Sequence, residues 1–433
     1  MNMTSREPSR IFSILSPLNP NGGTCGYCSP PGERSAAKTN LHDAECIAEQ
    51  LSCQAYQAMI DRGWRRSGTY LYKPDMKRTC CPQYTIRLDS RGFKASKSQR
   101  KMVNRFNRFI IQGDGKNGDA MADGMDAKSR PTGHPKGGQA SQKVAAFELE
   151  SAIHAAEEDF LKPDSTAVHK FEVTLEPSSF TEEKFALYQS YQREIHREEK
   201  EKNPSSFKRF LVESPLVSED IAYTHPPPAH LPRQYGSYHQ LYRLDGKLVA
   251  VGVIDILPTC VSSVYFMYEK EWEKLSLGKM SALREISLAN EIRTAGALEM
   301  GFLYMGYYIH TCQKMRYKGD YSPSYLADPE DYTWHPLEKC IPLLEKNRFA
   351  TFSHPEHSIA GDFLGPSHDP EVPTSELDEV KVFIGRGRYC TAKQYIEGEN
   401  KPTIRAIMTL VDALGLPLAQ SQNLLLYFKY VIT

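Results

Sequence analysis

The sequence predicts a mixed α/β (α+β) protein: a small cysteine-rich basic domain, then a larger domain alternating strands with helices. Three observations predict it. The 433-residue chain has no net charge, yet between Arg62 and Arg108 14 lysines and arginines face only Asp75 and Asp89. Four of the ten cysteines are grouped, Cys25 with Cys28 and Cys80 with Cys81, while six stand alone. From about Lys170 onward, short apolar-alternating runs are interrupted by stretches of helical period.

A hydrophobic content of 40% against 24% charged residues is that of a soluble globular chain, with enough apolar surface for a real core. No apolar run approaches the roughly 20 residues of a membrane helix, so no membrane partner is expected. Arg6 and Arg10 precede the short run Ile11–Leu15, and Pro17 and Pro20 follow it. No signal peptide is expected from such a run, and a cytoplasmic or nuclear home is.

In chain order, residues 1–23 read as a loose leader. A basic domain follows over 24–111. Tyr56, Met59 and Ile60 mark one helical face that stops at Gly63. Thr69–Tyr72 is a strand, and Gln83–Asp89 alternates with Tyr84, Ile86 and Leu88 on one side. Ser96 caps a helix to about Ile111, with Met102, Phe106, Phe109 and Ile110 as its apolar stripe. Lys97, Lys101, Arg105 and Arg108 form a basic ridge on that helix. Residues 112–143 are rich in Gly, Asp, Lys and Ser and cannot offset their ordering entropy, so a disordered linker is expected.

The second domain spans 144–349. Lys170–Glu176 is a strand. Ser179 with Glu182 makes a capping box for a helix carrying Tyr188, Tyr191 and Ile195. Strands Tyr238–Leu244 and Leu248–Ile256 flank Asp245–Gly246, a hairpin signal. Val261–Tyr268 is a strand, Met280–Ala297 a helix and Phe302–Ile309 another strand. That succession is the order of a GNAT-like acyltransferase domain. Residues 350–433 read as an extension, with a linker near Thr374–Glu379 and a helical pair at Thr403–Leu414 and Ala419–Tyr430.

A block as basic as 62–108 reads as a footprint for phosphate, with Trp64, Tyr70, Tyr72 and Tyr84 available for stacking; a solvated basic surface is the plainer alternative. Arg65 and Arg66 suit a carboxylate or a phosphate, or are a surface pair. Cys25 and Cys28 can face one ion, and Cys80–Cys81 would complete a tetrahedral set if a turn before Pro82 lets both sulfurs converge. Otherwise the four are buried thiols.

Several stretches are long and peculiar: CGYC at Cys25–Cys28, DRGWRRSGTYLYKP at Asp61–Pro74, TCCPQYTIR at Thr79–Arg87, AVGVIDILPTCVSSVY at Ala250–Tyr265, SLGKMSALREI at Ser276–Ile286 and YMGYYIHTCQKMRYKGDY at Tyr304–Tyr321. In them the chain resembles the eukaryotic arginyl-tRNA–protein transferases. The resemblance implies transfer of arginine from arginyl-tRNA to the N-terminal amine of proteins beginning with Asp, Glu or oxidised Cys, marking them for ubiquitin-dependent degradation. It implies that the cysteine set binds metal, as zinc or an iron–sulfur cluster; thiolate suits both. The ridge Lys97, Lys101, Arg105 and Arg108 is then expected to bind tRNA. Arg65, Arg66, Arg316, Tyr317 and Lys318 are expected to bind substrate, the last three because they lie just past a strand end. Glu285 and His310 are the candidate bases, although an ester acceptor and an amine of pKa about 8 require no strong base.

An activated ester needs no ATP. An acetyl-CoA-dependent acetyltransferase is the rival on the same fold. Its pyrophosphate loop, Q/R-x-x-G-x-G/A, would fall at Leu275–Met280, where Gly278 fits but Leu275 and Met280 do not. No acetyl-CoA is therefore expected. A non-enzymatic, metal-stabilised RNA-binding protein is the rival of another class; the complete acyltransferase order argues against it.

Overall fold

The computed structural model describes residues 11–30, 33–113, 147–163, 166–361, 370 and 372–428. The expected linker 112–143 lies almost wholly outside these residues. Among them the chain forms two mixed nine-stranded sheets.

The first sheet is built from both ends of the chain. Its order is Arg388–Thr391, Lys381–Gly385, Leu424–Tyr427, Ser13–Leu18, Lys38–Ser52, Tyr70–Pro74 and Arg65–Ser67. Helices Cys53–Asp61 and Lys401–Leu414 bury Tyr56, Ile60, Ile407 and Leu410 in a common core with Leu15, Cys46 and Trp64. Ser52 caps the first helix by accepting from the Ala55 N–H.

The second sheet runs Trp334–Pro336, Ser324–Ala327, Tyr84–Asp89, Phe302–Tyr308, Cys260–Tyr268, Lys247–Ile256, Gln234–Leu244 and Phe171–Pro177. Helices Lys97–Gln112 and Leu277–Thr294 bury their apolar stripes in the main core, with Ile86, Leu88 and Leu303. Helix Glu182–Glu194 covers the opposite face, where Phe185 and Tyr188 meet Leu241 and Val251. Asp245 and Gly246 both have positive φ, 51° and 80°, as a tight hairpin of this hand requires. Ser96 and Gln99 form a reciprocal capping box.

Several expectations change. The leader is ordered from Ser13, whose strand pairs with both Lys38–Ser52 and Leu424–Tyr427. Strand Tyr84–Asp89 and the basic helix belong to the second sheet and its core, not to the cysteine-rich unit. The C-terminal extension completes the first sheet instead of trailing from it. Its second expected helix is a short turn, Leu416–Ala419, followed by strand Leu424–Tyr427. Three consecutive leucines suit a strand buried on both faces as well as a helix, and the neighbours on each side decide. The expected linker at Thr374–Glu379 contains a helical turn, Thr374–Asp378, that buries Leu377. Thr181, not Ser179, caps the Glu182–Glu194 helix.

Candidate active site and metal centre

Strands Cys260–Tyr268 and Phe302–Tyr308 run parallel and pair only through Ser262 and Tyr304. Beyond that point they splay. On the far side of Phe302–Tyr308 the register to Tyr84–Asp89 also shifts between Tyr304 and Tyr307, around Gly306 with φ of 68°. The gap opens at the carboxyl ends of two parallel strands, where α/β sheets place their ligands. It holds a cavity of about 500 Å³. Ser262–Phe266 form one wall and Met305–Tyr307 the other; Gly278, Ser281 and Glu285 of the Leu277–Thr294 helix line it too, as do Arg65 and Tyr72 from the first sheet and Tyr56 from the Cys53–Asp61 helix.

Glu285 is buried and is the one carboxylate in the described lining. Burial pushes it up to about 7, against hydrogen bonds from Ser281 and Ser263 that favour the charged form. Ser281 Oγ donates to it at 2.7 Å. Lys318 is also buried in the lining. Burial, then repulsion from Arg65, pushes it down to about 7. Its Nζ donates to the Tyr307 carbonyl at 2.7 Å. One acid and one base are thus poised near neutrality in one crevice, a pattern that marks functional sites.

Arg65 stacks on the Tyr307 ring with 4.8 Å to the centroid and donates to the Gly306 carbonyl at 3.0 Å. Its Nε is buried and has no hydrogen-bond partner among the described residues. Arg66 is different. Its guanidinium meets Asp255 at 2.9 Å and 2.5 Å and Ser237 at 3.0 Å, across the two sheets. Although it lines the cavity, this buried pair makes it a fastener between sheets. Asp255 gave no warning in the sequence, because its partner is 189 positions away.

Tyr317 lies at the cavity mouth, 44% exposed. It also lines a smaller cavity of about 260 Å³ with Arg105, Lys279 and Asp320. The basic helix and the crevice therefore adjoin through Tyr317. Arg316 is exposed and outside the described lining. His310 is likewise outside it; its Nδ1 lies 3.1 Å from the Tyr308 hydroxyl. The structure brings Glu285 to the crevice and leaves His310 apart. Sequence reasoning missed the aromatic wall of Tyr191 and Tyr265, and His196, which contacts the Tyr265 hydroxyl at 3.3 Å. Their separation along the chain hides their convergence.

The basic block divides. Lys73 donates to Tyr332 and the Ala413 carbonyl, Arg78 pairs with Asp75, Lys77 with Glu330, and Arg91 with Asp89. Arg87 lies over Trp334 at 3.8 Å. Lys97, Lys101, Arg105 and Arg108 are all exposed, and none enters an ion pair among the described residues.

The four grouped cysteines converge. The sulfurs of Cys25, Cys28, Cys80 and Cys81 all lie within 4.8 Å of one another, and Cys28 Sγ to Cys80 Sγ is 3.8 Å. A tetrahedral ion with metal–sulfur bonds of about 2.3 Å spaces its sulfurs by about 3.8 Å. Burial pushes the Cys80 thiol up to about 11, and burial together with Cys80 and Cys25 raises Cys81. Burial also raises Cys25, but the Tyr27 and Cys28 N–H groups and the neighbouring thiols outweigh it and lower that thiol. A cation among the four sulfurs reverses their mutual repulsion, so the donor set fits a metal ion. Cys25 and Cys81 pack against Ile309 and Cys312, with Met315 beside them.

Two family models match the chain: the N terminus of arginine-tRNA-protein transferase over residues 23–101 and the C terminus over residues 183–328. Arginyl-tRNA–protein transferase 1 of Drosophila melanogaster is 33% identical, over 86% of this chain and 91% of its own length. The Arabidopsis thaliana transferase 1 is 30% identical, over 79% and 76%. An aspartate/glutamate leucyltransferase of Pseudomonas fluorescens is 35% identical over 64% of this chain and 81% of its own. Nothing in these relatives supports the acetyl-CoA or the non-enzymatic reading. No helix among the described residues is long and apolar enough to cross a membrane. The chain is an enzyme of the arginyl-tRNA–protein transferase family.

Proposed function

We propose that the chain moves arginine from arginyl-tRNA onto the N-terminal α-amine of proteins beginning with Asp, Glu or oxidised Cys, marking them for ubiquitin-dependent degradation in the cytoplasm and nucleus. One observation carries the reading: a single buried carboxylate, Glu285, shares a crevice with Arg65, Lys314 and Lys318. The cations suit the acidic side chain of the acceptor. The bacterial relative, named for aspartate and glutamate, supports that choice.

In this reading the neutral amine attacks the arginyl ester carbonyl. Glu285 takes the proton the amine loses as the new bond forms. The carbon–oxygen bond to the terminal ribose then breaks, and the proton passes to the departing ribose oxygen. Binding both substrates in one crevice supplies the orientation. Tyr56, Tyr72, Tyr191 and Tyr265 offer faces for the terminal base and the arginyl side chain. Lys97, Lys101, Arg105 and Arg108 hold tRNA phosphates, and Arg316 and Tyr317 lie where the terminal nucleotide of the tRNA enters, while Lys318 meets the acidic peptide. The ester is already activated, so neither ATP nor acetyl-CoA takes part. The cysteine set would hold zinc or an iron–sulfur cluster, whose role is to brace the Ile309–Met315 segment.

The test is label transfer from arginyl-tRNA to peptides beginning with Asp, Glu or Gly. Transfer to the acidic peptides alone is expected. Equal transfer to the Gly peptide would overturn the acceptor assignment, and transfer from acetyl-CoA would overturn the donor.

A further inference from the structure

Away from the crevice, three side chains converge on the Leu277–Thr294 helix from separate parts of the chain. His154 ends helix Leu149–His154, His230 sits in the loop before strand Gln234–Leu244, and Glu291 lies near the end of the long helix. His154 Nε2 is 3.2 Å from the Glu291 carboxylate, and His230 Nε2 is 2.7 Å from it. All three ligating atoms lie within 4.8 Å of one another. None belongs to the described lining of the reaction crevice.

From this geometry we infer that His154, His230 and Glu291 form a second metal site, distinct from the cysteine set, for a divalent transition ion of the zinc type. Two imidazoles and a carboxylate are a donor set zinc accepts, with water as its fourth ligand. Nitrogen and oxygen ligands at about 2.0–2.1 Å from a tetrahedral ion lie about 3.3 Å apart. The His154–Glu291 separation already matches, His230 must withdraw from Glu291 by about 0.6 Å, and the two imidazole nitrogens start within 4.8 Å of each other. His230 is partly exposed, which leaves the water position open to solvent.

The surroundings are those of a built site. His154 Nδ1 faces the Glu157 carboxylate at 3.1 Å, and Glu157 is clamped by the buried Arg284. An ion displaces the proton that Nε2 shares with Glu291, while Glu157 keeps the proton on Nδ1 and the freed Nε2 lone pair faces the ion, the carboxylate–histidine arrangement of zinc proteins. Ser287 Oγ donates to Glu291 at 2.6 Å and orients the third ligand. The ion would fasten the Leu149–His154 segment and the His230 loop to the helix that carries Glu285 on another face.

The test is zinc titration of the full-length protein by calorimetry, with melting temperature followed in parallel. His230→Ala and Glu291→Gln are compared with the wild type; all start with the cysteine centre in the same state. His230 is on a partly exposed loop, so its variant should keep the fold, verified by circular dichroism before zinc is added. The wild type should bind one zinc more than either variant and melt higher in its presence. In the variants that site should weaken by more than about 100-fold, beyond the 10–100-fold typical of losing only an outer partner. Equal zinc binding and equal zinc-dependent melting in all three proteins would overturn the site and leave a hydrogen-bonded ion-pair network.

Discussion

Replacing Glu285 with Gln should raise stability above neutral pH while lowering transfer. A carboxyl ordinarily titrates at 4.5, and burial moves this one to about 7. The folded protein therefore holds a proton that the unfolded chain has released between pH 4.5 and 7. Stability falls as pH rises through that window, and above 7 the whole cost is present. At about 1.4 kcal/mol for each tenfold displacement, it amounts to about 3 kcal/mol. Glutamine carries no charge to desolvate and keeps an oxygen for Ser281, and the bonds from Ser281 and Ser263 to the charged form are already contained in the shift. The gain at pH 8 is therefore about 3 kcal/mol, or about 3 °C in melting temperature for a chain of this size. At pH 4 the difference should vanish. Single-turnover transfer from labelled arginyl-tRNA to an Asp-started peptide should meanwhile fall by about 100-fold, the low end for a lost base, because an amine of pKa about 8 is partly neutral without help. The rising limb of the wild-type pH profile, with its midpoint near 7, should flatten. A variant that is less stable at pH 8 and transfers at the wild-type rate would make Glu285 a structural carboxylate and refute the reasoning.

Lys318 loses its charge as pH rises through about 7, so the KM for Asp-started peptides should climb above that pH, and Lys318→Met should abolish the climb; this is read from initial rates between pH 6 and 9. Changing Lys97, Lys101 and Arg105 to Glu should weaken tRNA binding and flatten its salt dependence by about two to three counterions in a filter-binding series. Cys25→Ser or Cys80→Ser should lower bound metal and melting temperature together, whereas Cys390→Ser should change neither, as elemental analysis and thermal melting will show. Asp255→Asn leaves Arg66 buried without its counter-charge and should cost about 3–5 kcal/mol in urea unfolding, with loss of the junction between the sheets.

What the sequence disclosed and what it withheld divide along one physical line. Local signals were legible: the Ser96 cap, the Asp245–Gly246 turn, the alternation of Tyr84, Ile86 and Leu88, and the stripe of the basic helix all reappear in the structure. Long-range pairing was not. Tyr84–Asp89 reads as a strand from its own residues, but only Phe302–Tyr308 and Ser324–Ala327 place it in the second sheet. Strand Lys38–Ser52 is mostly polar in its first half and lacks clean alternation, so it went unread, although it is the spine of the first sheet. Among candidate site residues, the cysteines were legible because their grouping is itself in the sequence. Arg65 and Arg66 look equivalent there, and only Asp255 separates them, by neutralising one and leaving the other against Tyr307.

The segment from Ile309 to Lys318 links the parts of the proposed machinery. Ile309 and Cys312 pack on the cysteine set, Met315 touches that cluster and also lines the crevice, and Lys318 closes the crevice beside Tyr307. From the other side, Arg65 holds the Gly306 carbonyl and is itself carried by a strand of the first sheet. The cysteine-rich unit therefore reaches the crevice both through the apolar cluster and through Arg65, beside Tyr56 and Tyr72. The cysteine set thus shares no residue with the described lining yet touches it through this segment. A bound ion would hold the four sulfurs together, and through Ile309 and Cys312, which pack on them, would set where Met315 and Lys318 stand. On this reading the ion acts on the reaction through packing, and its influence falls on the acceptor side of the crevice, where Lys318 stands, before it reaches Glu285 on the opposite helix.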